Sequence, residues 1–438
     1  MRHSTRPRLE HFLILLASSM VFCSSPSAYE IFVSDAGGFN SPPWQILRYA
    51  EDGSNPQVFT NEQLGWPQDI LFLPGTDDVL ISNLTTSRIN RHHAESGDFV
   101  DVFDQAISQP TRLAIGPDGL IYALQWSGDG LVKRYQRDGT ALGNFTSVGI
   151  SQAIGLDWDT NGNLYVSSFD QAAVHRFDSN GQYLGVFIQS NLQGPTNIFF
   201  LGDDLLVLDW TAGSIARFDK DGTFVDTFAA GLRQPEGIAE LPDGNLLIGN
   251  GQGKTVREHT ADGAFVANRI ARAAGGLIQP NAVVIRSTGI PIDATISDSW
   301  VDPRYPSQGL LILAYPDRDG LFAGWYTFND EILSGLQSHS ESDAKALGTS
   351  DQRWLTAGGT FAGANADLTV FSSQGGLFNA AAPVAQTAAI GTMQLFLESC
   401  NLLRLFFEFD DPAISGEMQL QRAVDDNVAA CQQNSGGR

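Results

Sequence analysis

The chain has 438 residues, 42% hydrophobic and 17% charged, with 49 acidic side chains against 26 basic ones and a formal net charge of −23. That length holds more than one domain, and that apolar content excludes a disordered polymer. The carboxylate excess repels polyanions, so nucleic acid is excluded as a partner.

Residues 1–28 stand apart. Arg2, Arg6 and Arg8 precede an apolar stretch from Phe12 to Phe22, which ends in the small residues Ser27 and Ala28. A positive flank, a short apolar core and a small-residue exit read as a secretory signal peptide, too short to span a bilayer. A secreted or periplasmic protein is expected. Lipid anchoring at Cys23 is the alternative, opposed by bulky Phe22 where a small residue is wanted. No later apolar run reaches the ~18 residues of a transmembrane segment. Cys400 and Cys431 remain, expected to pair in an oxidising compartment.

From residue 29 the chain repeats. Turn glycines recur about every 42 residues at Gly53, Gly97, Gly139, Gly181, Gly222 and Gly263, five of them after Asp or Asn. Other columns keep step. A basic column runs Arg48, Arg91, Arg134, Arg176 and Arg217, with Glu258 in the sixth copy. Beside it is a ring column of Tyr49, His92, Tyr135, Phe177, Phe218 and His259. Six residues after each glycine stand Phe59, Phe103, Phe145, Phe187 and Phe228, replaced by Arg269 in the last copy. Upstream lies an Asx-rich column of Asp35, Asn83, Asp209 and Asn250, with Gln125 and Ser168 in the other two copies.

Between these markers lie short β-branched or aromatic segments bounded by turn residues, about four per period, which is the signature of a propeller blade. The innermost strand opens at Pro67, Pro110, Ala153, Pro195, Pro235 and Pro280. The chain starts with three outer strands over 30–59 and ends the repeat with an inner strand over 280–285. Strand exchange between the two predicts a closed six-bladed ring without exposed edges.

The run Pro-x-Gly-Ile, then Asp-Gly-Asn-Leu, an apolar-x-Arg-Phe strand and an Asp-Gly turn resembles the NHL-repeat propellers and, more distantly, the gluconolactonase-like (SMP-30) group, over residues 29–288. The resemblance implies a propeller fold. In the gluconolactonase-like group the residue after the inner-strand proline supplies metal ligands, which here falls on Gln68, Thr111, Ile154, Thr196, Glu236 and Asn281. Glu236 and Asn281 match two of the three ligand types, and no Asp fills the third. A possible divalent cation, Ca²⁺ or Mg²⁺, follows from that resemblance, and Gln68 would stand beside it on a neighbouring blade.

Past Arg286 the period stops, and a linker from Ser287 to Ile292 leads to strand candidates over 309–314, 321–328, 366–371, 392–397, 402–409 and 417–421. These predict an all-β domain over 296–424, an antiparallel β-sandwich or small barrel, before a polar tail at 425–438. Trp300, Trp325, Trp354, Gly375-Gly376, Phe378 and Cys400-Asn401 resemble an accessory domain of secreted proteobacterial proteins, which implies a bacterial source and no catalytic residue. Gly335 to Asp351, polar and Ser-rich, reads as a loop.

The column after the axial one, Asp69, Arg112 and Asn197, is expected to face the other way along the strand. His92 and His259 occupy a column that elsewhere holds Tyr or Phe, so packing explains them. The Arg column serves each blade's own turn, and the Asx column caps loops. Trp126, Phe169 and Trp210 follow the Asx column in three consecutive blades and are the preferred binding candidates, with Gln68, Arg112 and Asn197 as further binding candidates. No Gly-x-Ser-x-Gly elbow occurs, so no catalytic set is assigned. The expected function is a monomeric, non-enzymatic binding module for a protein, peptide or glycan. The alternatives are a metal-dependent lactonase or lyase working through Glu236 and Asn281, and an envelope-docking role for the C-terminal domain.

Overall fold

The computed structural model describes residues 29–74, 76–328, 352–374, 384–410, 413–424 and 427–436. The leader with Cys23, the loop at 335–351, and Gly375, Gly376 and Phe378 lie outside them.

Six four-stranded sheets form the ring. Blade 1 joins the two ends of the repeat: its outer strands are Tyr29–Asp35, Gln45–Ala50 and Gln57–Thr60, and its inner strand is Pro280–Ser287. Tyr29 pairs with Ser287, Ile31 with Ile285 and Val33 with Val283, so the ring closes by strand exchange. The other inner strands are Pro67–Phe72, Pro110–Ile115, Ala153–Trp158, Pro195–Leu201 and Pro235–Glu240, for blades 2 to 6.

An apolar cluster fills each of the six gaps between neighbouring blades. The cluster between blades 6 and 1 packs Leu247, Val256 and Ile270 against Ile31, Val33, Leu47 and Tyr49, and so holds the strands that open the repeat against its last blade. The periodic glycines belong to the same packing. Gly97 has φ +78°, and a Cβ there would lie 2.1 Å from the Phe59 carbonyl of the preceding blade. Gly181 stands in the same relation to Phe145.

The Arg and Phe columns meet. The guanidinium of Arg91 lies over Phe103, Arg134 over Phe145, Arg176 over Phe187 and Arg217 over Phe228, at 5.4–5.7 Å from the ring centroids. In blade 6 both partners change together, and Glu258 pairs with Arg269 at 2.7 Å. The Asx column pins the loop entering each blade's own inner strand: Asn83 accepts from Gly65 N, Asp209 from Gln193 and Gly194 N, and Asp35 from Ile278 and Gln279 N.

The C-terminal domain is a closed eight-stranded antiparallel barrel, which decides between the two predicted forms. Its strands run from Ser299–Asp302 to Ala413–Arg422, and Trp300 pairs with Arg422 to close it. The interior is apolar: Leu310, Ile312, Trp325, Leu368, Met393, Leu405 and Leu420 meet there. Two strands escape the sequence pattern, Ser299–Asp302 because it is short and Gln352–Ala362 because glycines interrupt its alternation. Trp300 is fully buried, donates to the Ile296 carbonyl and lies under the Arg422 guanidinium at 4.4 Å. The tail at 425–438 contains a short helix, Val428–Gly436, which the Cys400–Cys431 disulfide ties to the barrel. The linker is docked: Ile290 N donates to Leu397 O and Ile292 N to Gly363 O, while propeller residue Arg137 pairs with Glu417 at 2.9 Å.

Candidate functional site

The six inner strands share one irregularity that decides what reaches the axis. In every blade the pairing between the inner strand and its neighbour slips within the first four inner-strand residues, as between Pro67 and Asp69 or Pro110 and Leu113. A bulge breaks strict alternation, so two consecutive residues can turn toward the axis. This corrects the expectation that the Asp69, Arg112 and Asn197 column faces the other way. All three line the axial cavity.

Arg112 is the keystone of the axis. From blade 3 its Nη1 donates to the Gln68 carbonyl of blade 2 at 2.7 Å and lies 3.4 Å from Asp69 Oδ1. Its Nη2 reaches the opposite blade, donating to the Glu236 carbonyl at 3.2 Å and lying 3.6 Å from Glu236 Oε1. Asp69 Oδ2 accepts Leu113 N at 2.8 Å. Gln68, with its amide turned as its neighbours require, donates to Glu236 Oε1 and accepts from Trp66 Nε1 and Asn281 Nδ2. All of these polar side chains except Trp66 are buried, so this layer closes the axis with an internal network.

Burial raises the carboxyls of this region. Glu236 is pushed up to about 7 by desolvation, against the pull of Arg112 and Asn281. Asp69 is raised for the same reason, again against Arg112. Further along the channel Asp157 is pushed up to about 6 by desolvation, opposed by N–H groups of Phe200 and Trp158. An unfolded Glu titrates near ~4.3, so between there and about 7 the folded chain holds a proton that the unfolded chain has released. The contribution of Glu236 to stability therefore falls as pH rises through that window and levels off above it. Relative to the parent, Glu236→Gln should gain on the order of 2–3 kcal/mol between pH 4.5 and 8 in urea denaturation. A difference that stays flat across that range would contradict the assignment.

The donor set fits a guanidinium rather than a divalent ion. Ca²⁺ or Mg²⁺ needs several converging oxygens with no fixed cation among them. Here the Arg112 guanidinium stands between Asp69 and Glu236, and Asn281 Oδ1 is the one amide oxygen of the layer without a partner. Among the described residues no three His, Cys, Asp or Glu side chains are grouped to hold a metal.

The aromatic candidates do come together. Trp126, Phe169 and Trp210 each donate a backbone N–H to the residue just before the inner strand of their blade, which puts them on the face where the inner strands begin. Their rings form one continuous row, Trp126 to Phe169 at 5.8 Å and Phe169 to Trp210 at 6.1 Å, all half-buried. Asn197 stands apart on the channel wall, its Oδ1 accepting its own Ile198 N. A second pair on the aromatic face, Phe39 against Trp66 at 5.0 Å, was missed because it falls outside the repeating columns.

The histidines pack. His92 and His259 are buried, each with Nδ1 3.0 Å from the carbonyl of its blade's turn glycine, Gly97 or Gly263. Burial pushes both imidazoles below their ordinary range.

No family model matches the chain, and no curated protein matches it. Solved structures do. A structure from a nidogen–laminin complex is 15% identical, covering 59% of this chain and 97% of its own, with a TM-score of 0.49. A protein of unknown function from Bacteroides caccae is 17% identical, covering 59% and 99%, with a TM-score of 0.47. A putative gluconolactonase is 13% identical, covering 67% and 93%, with a TM-score of 0.45. The structural neighbours are NHL- and gluconolactonase-like propellers. At these identities and TM-scores the likeness assigns no activity, because propellers serve unrelated chemistries.

Proposed function

We propose that the protein is a non-enzymatic binding module, exported from the cytoplasm, whose propeller engages a protein or peptide segment through the row of Trp126, Phe169 and Trp210. The observation that carries this reading is the continuity of three half-buried rings from three blades on one face. Successive rings are tilted by 47° and 76°, which gives a corrugated surface suited to side chains rather than the flat ledge that a sugar ring stacks on. The Cys400–Cys431 disulfide supports an oxidising compartment.

Selection of a displayed peptide library on the purified protein tests this. Enriched peptides should lose at least tenfold in affinity toward a Trp126→Ala/Trp210→Ala variant. Peptides that bind that variant equally well, or binding confined to a glycan array, would overturn the reading.

The metal-dependent lactonase or lyase reading is disfavoured by the position of Arg112. Calorimetric titration with Ca²⁺, Mg²⁺, Mn²⁺ and Zn²⁺ is expected to show no site that depends on Glu236. Lactone turnover abolished by Glu236→Gln would restore that reading.

A further inference from the structure

The axis has a second end. Beyond Asp69 and Arg112, on the side away from the aromatic row, lies a cavity of about 310 Å³. At the fifth inner-strand position the six blades present Leu71, Ala114, Asp157, Phe199, Ala239 and Val284. Five are apolar and one is a carboxylate. Leu71, Ala114, Phe199 and Val284 line the cavity with Asp157.

Asp157 already serves one structural purpose. Its Oδ2 accepts Phe200 N of the next blade at 2.8 Å, and Oδ1 accepts Trp158 N at 2.8 Å. A neutral amide or hydroxyl could latch two strands without a half-buried charge, whereas this group is a carboxyl with no basic side chain paired to it among the described residues. Each oxygen keeps a further lone pair. The charged groups that face it along the channel are Asp69 and Arg112, and Arg112 is already committed to Asp69 and Glu236. A half-buried carboxylate without a counter-ion gains from a cation that arrives with its own apolar surface.

We infer that this cavity is a binding site for a small organic ammonium with an aliphatic body, its cationic head on Asp157 and its body against Leu71, Ala114, Phe199 and Val284. The volume is at the lower end for small-molecule sites, which suits a short aliphatic amine. The site lies at the other end of the axis from the aromatic row and does not depend on it.

Calorimetric titration of the full chain with n-hexylammonium, 1-hexanol and hexanoate tests the inference. The ammonium is expected to bind at least tenfold more tightly than the alcohol, and the carboxylate not at all. Asp157→Asn should weaken ammonium binding at least tenfold. Ala114→Leu, which narrows the cavity and leaves Asp157 in place, should do the same even if the Asn variant is unstable. Trp126→Ala/Trp210→Ala should leave it unchanged, so failure here and failure of the peptide-binding reading are distinguishable. No heat with the ammonium, equal affinity for 1-hexanol, or undiminished binding by both cavity variants would overturn the inference.

Discussion

Arg112→Met should destabilise the protein by about 3–5 kcal/mol, the largest effect expected for a single polar substitution on the propeller axis. The methionine occupies similar space, so the loss measures charge and hydrogen bonding more than a cavity. Without the guanidinium, Asp69 and Glu236 are left as buried carboxyls with no compensating cation, and the Gln68 and Glu236 carbonyls lose their donors. Urea denaturation at pH 8, above the pH at which Glu236 gives up its proton, is the appropriate measurement. The penalty should shrink at pH 5, because Glu236 then takes up its proton. A cost below about 1 kcal/mol at pH 8 would mean that the bridge across the ring contributes nothing.

Phe32→Ala should cost about 3–5 kcal/mol for a different reason. Phe32 is fully buried on the outer strand that pairs with Pro280–Ser287, its ring set edge-on against Phe59 at 5.0 Å and Phe72 at 4.7 Å. It therefore ties the exchanged strand both to its own blade and to blade 2. Truncation opens a cavity at the seam where no peptide link holds the ring. Val58→Ala, on an exposed outer-strand position, should change stability by less than about 0.5 kcal/mol. Equal effects of the two substitutions would show that the seam is not where the ring is held.

The propeller was legible in the sequence because each blade repeats the same packing problem. The glycine that must adopt positive φ against the preceding blade, the buried ring and the Arg over its Phe recur as columns, and the closure followed from their phase. One signal lay in plain view and went unread: Glu258 and Arg269 change together in the sixth copy, which already says that the two columns touch. The barrel was half legible. Its apolar strands alternate clearly, but eight-strand closure depends on Ser299–Asp302, which is too short to advertise itself.

The site was harder to foresee. Strict two-residue alternation turned Arg112 away from the axis, and the bulge near the start of every inner strand brought it back. Register slips of that kind arise from the geometry of six strands converging on an axis, and a single strand does not reveal them. Asp157 did leave a trace, as the one charged residue in an otherwise apolar column. The aromatic row was found because its three members follow a repeating marker.

The bridge from Arg112 to Glu236 across the ring is tested most directly by a double-mutant cycle, combining Arg112→Met with Glu236→Gln in urea denaturation at pH 8. The two changes together should cost less than the sum of the single changes by about 1–3 kcal/mol, since each removes the other's partner. Costs that add to within about 0.5 kcal/mol would contradict the bridge.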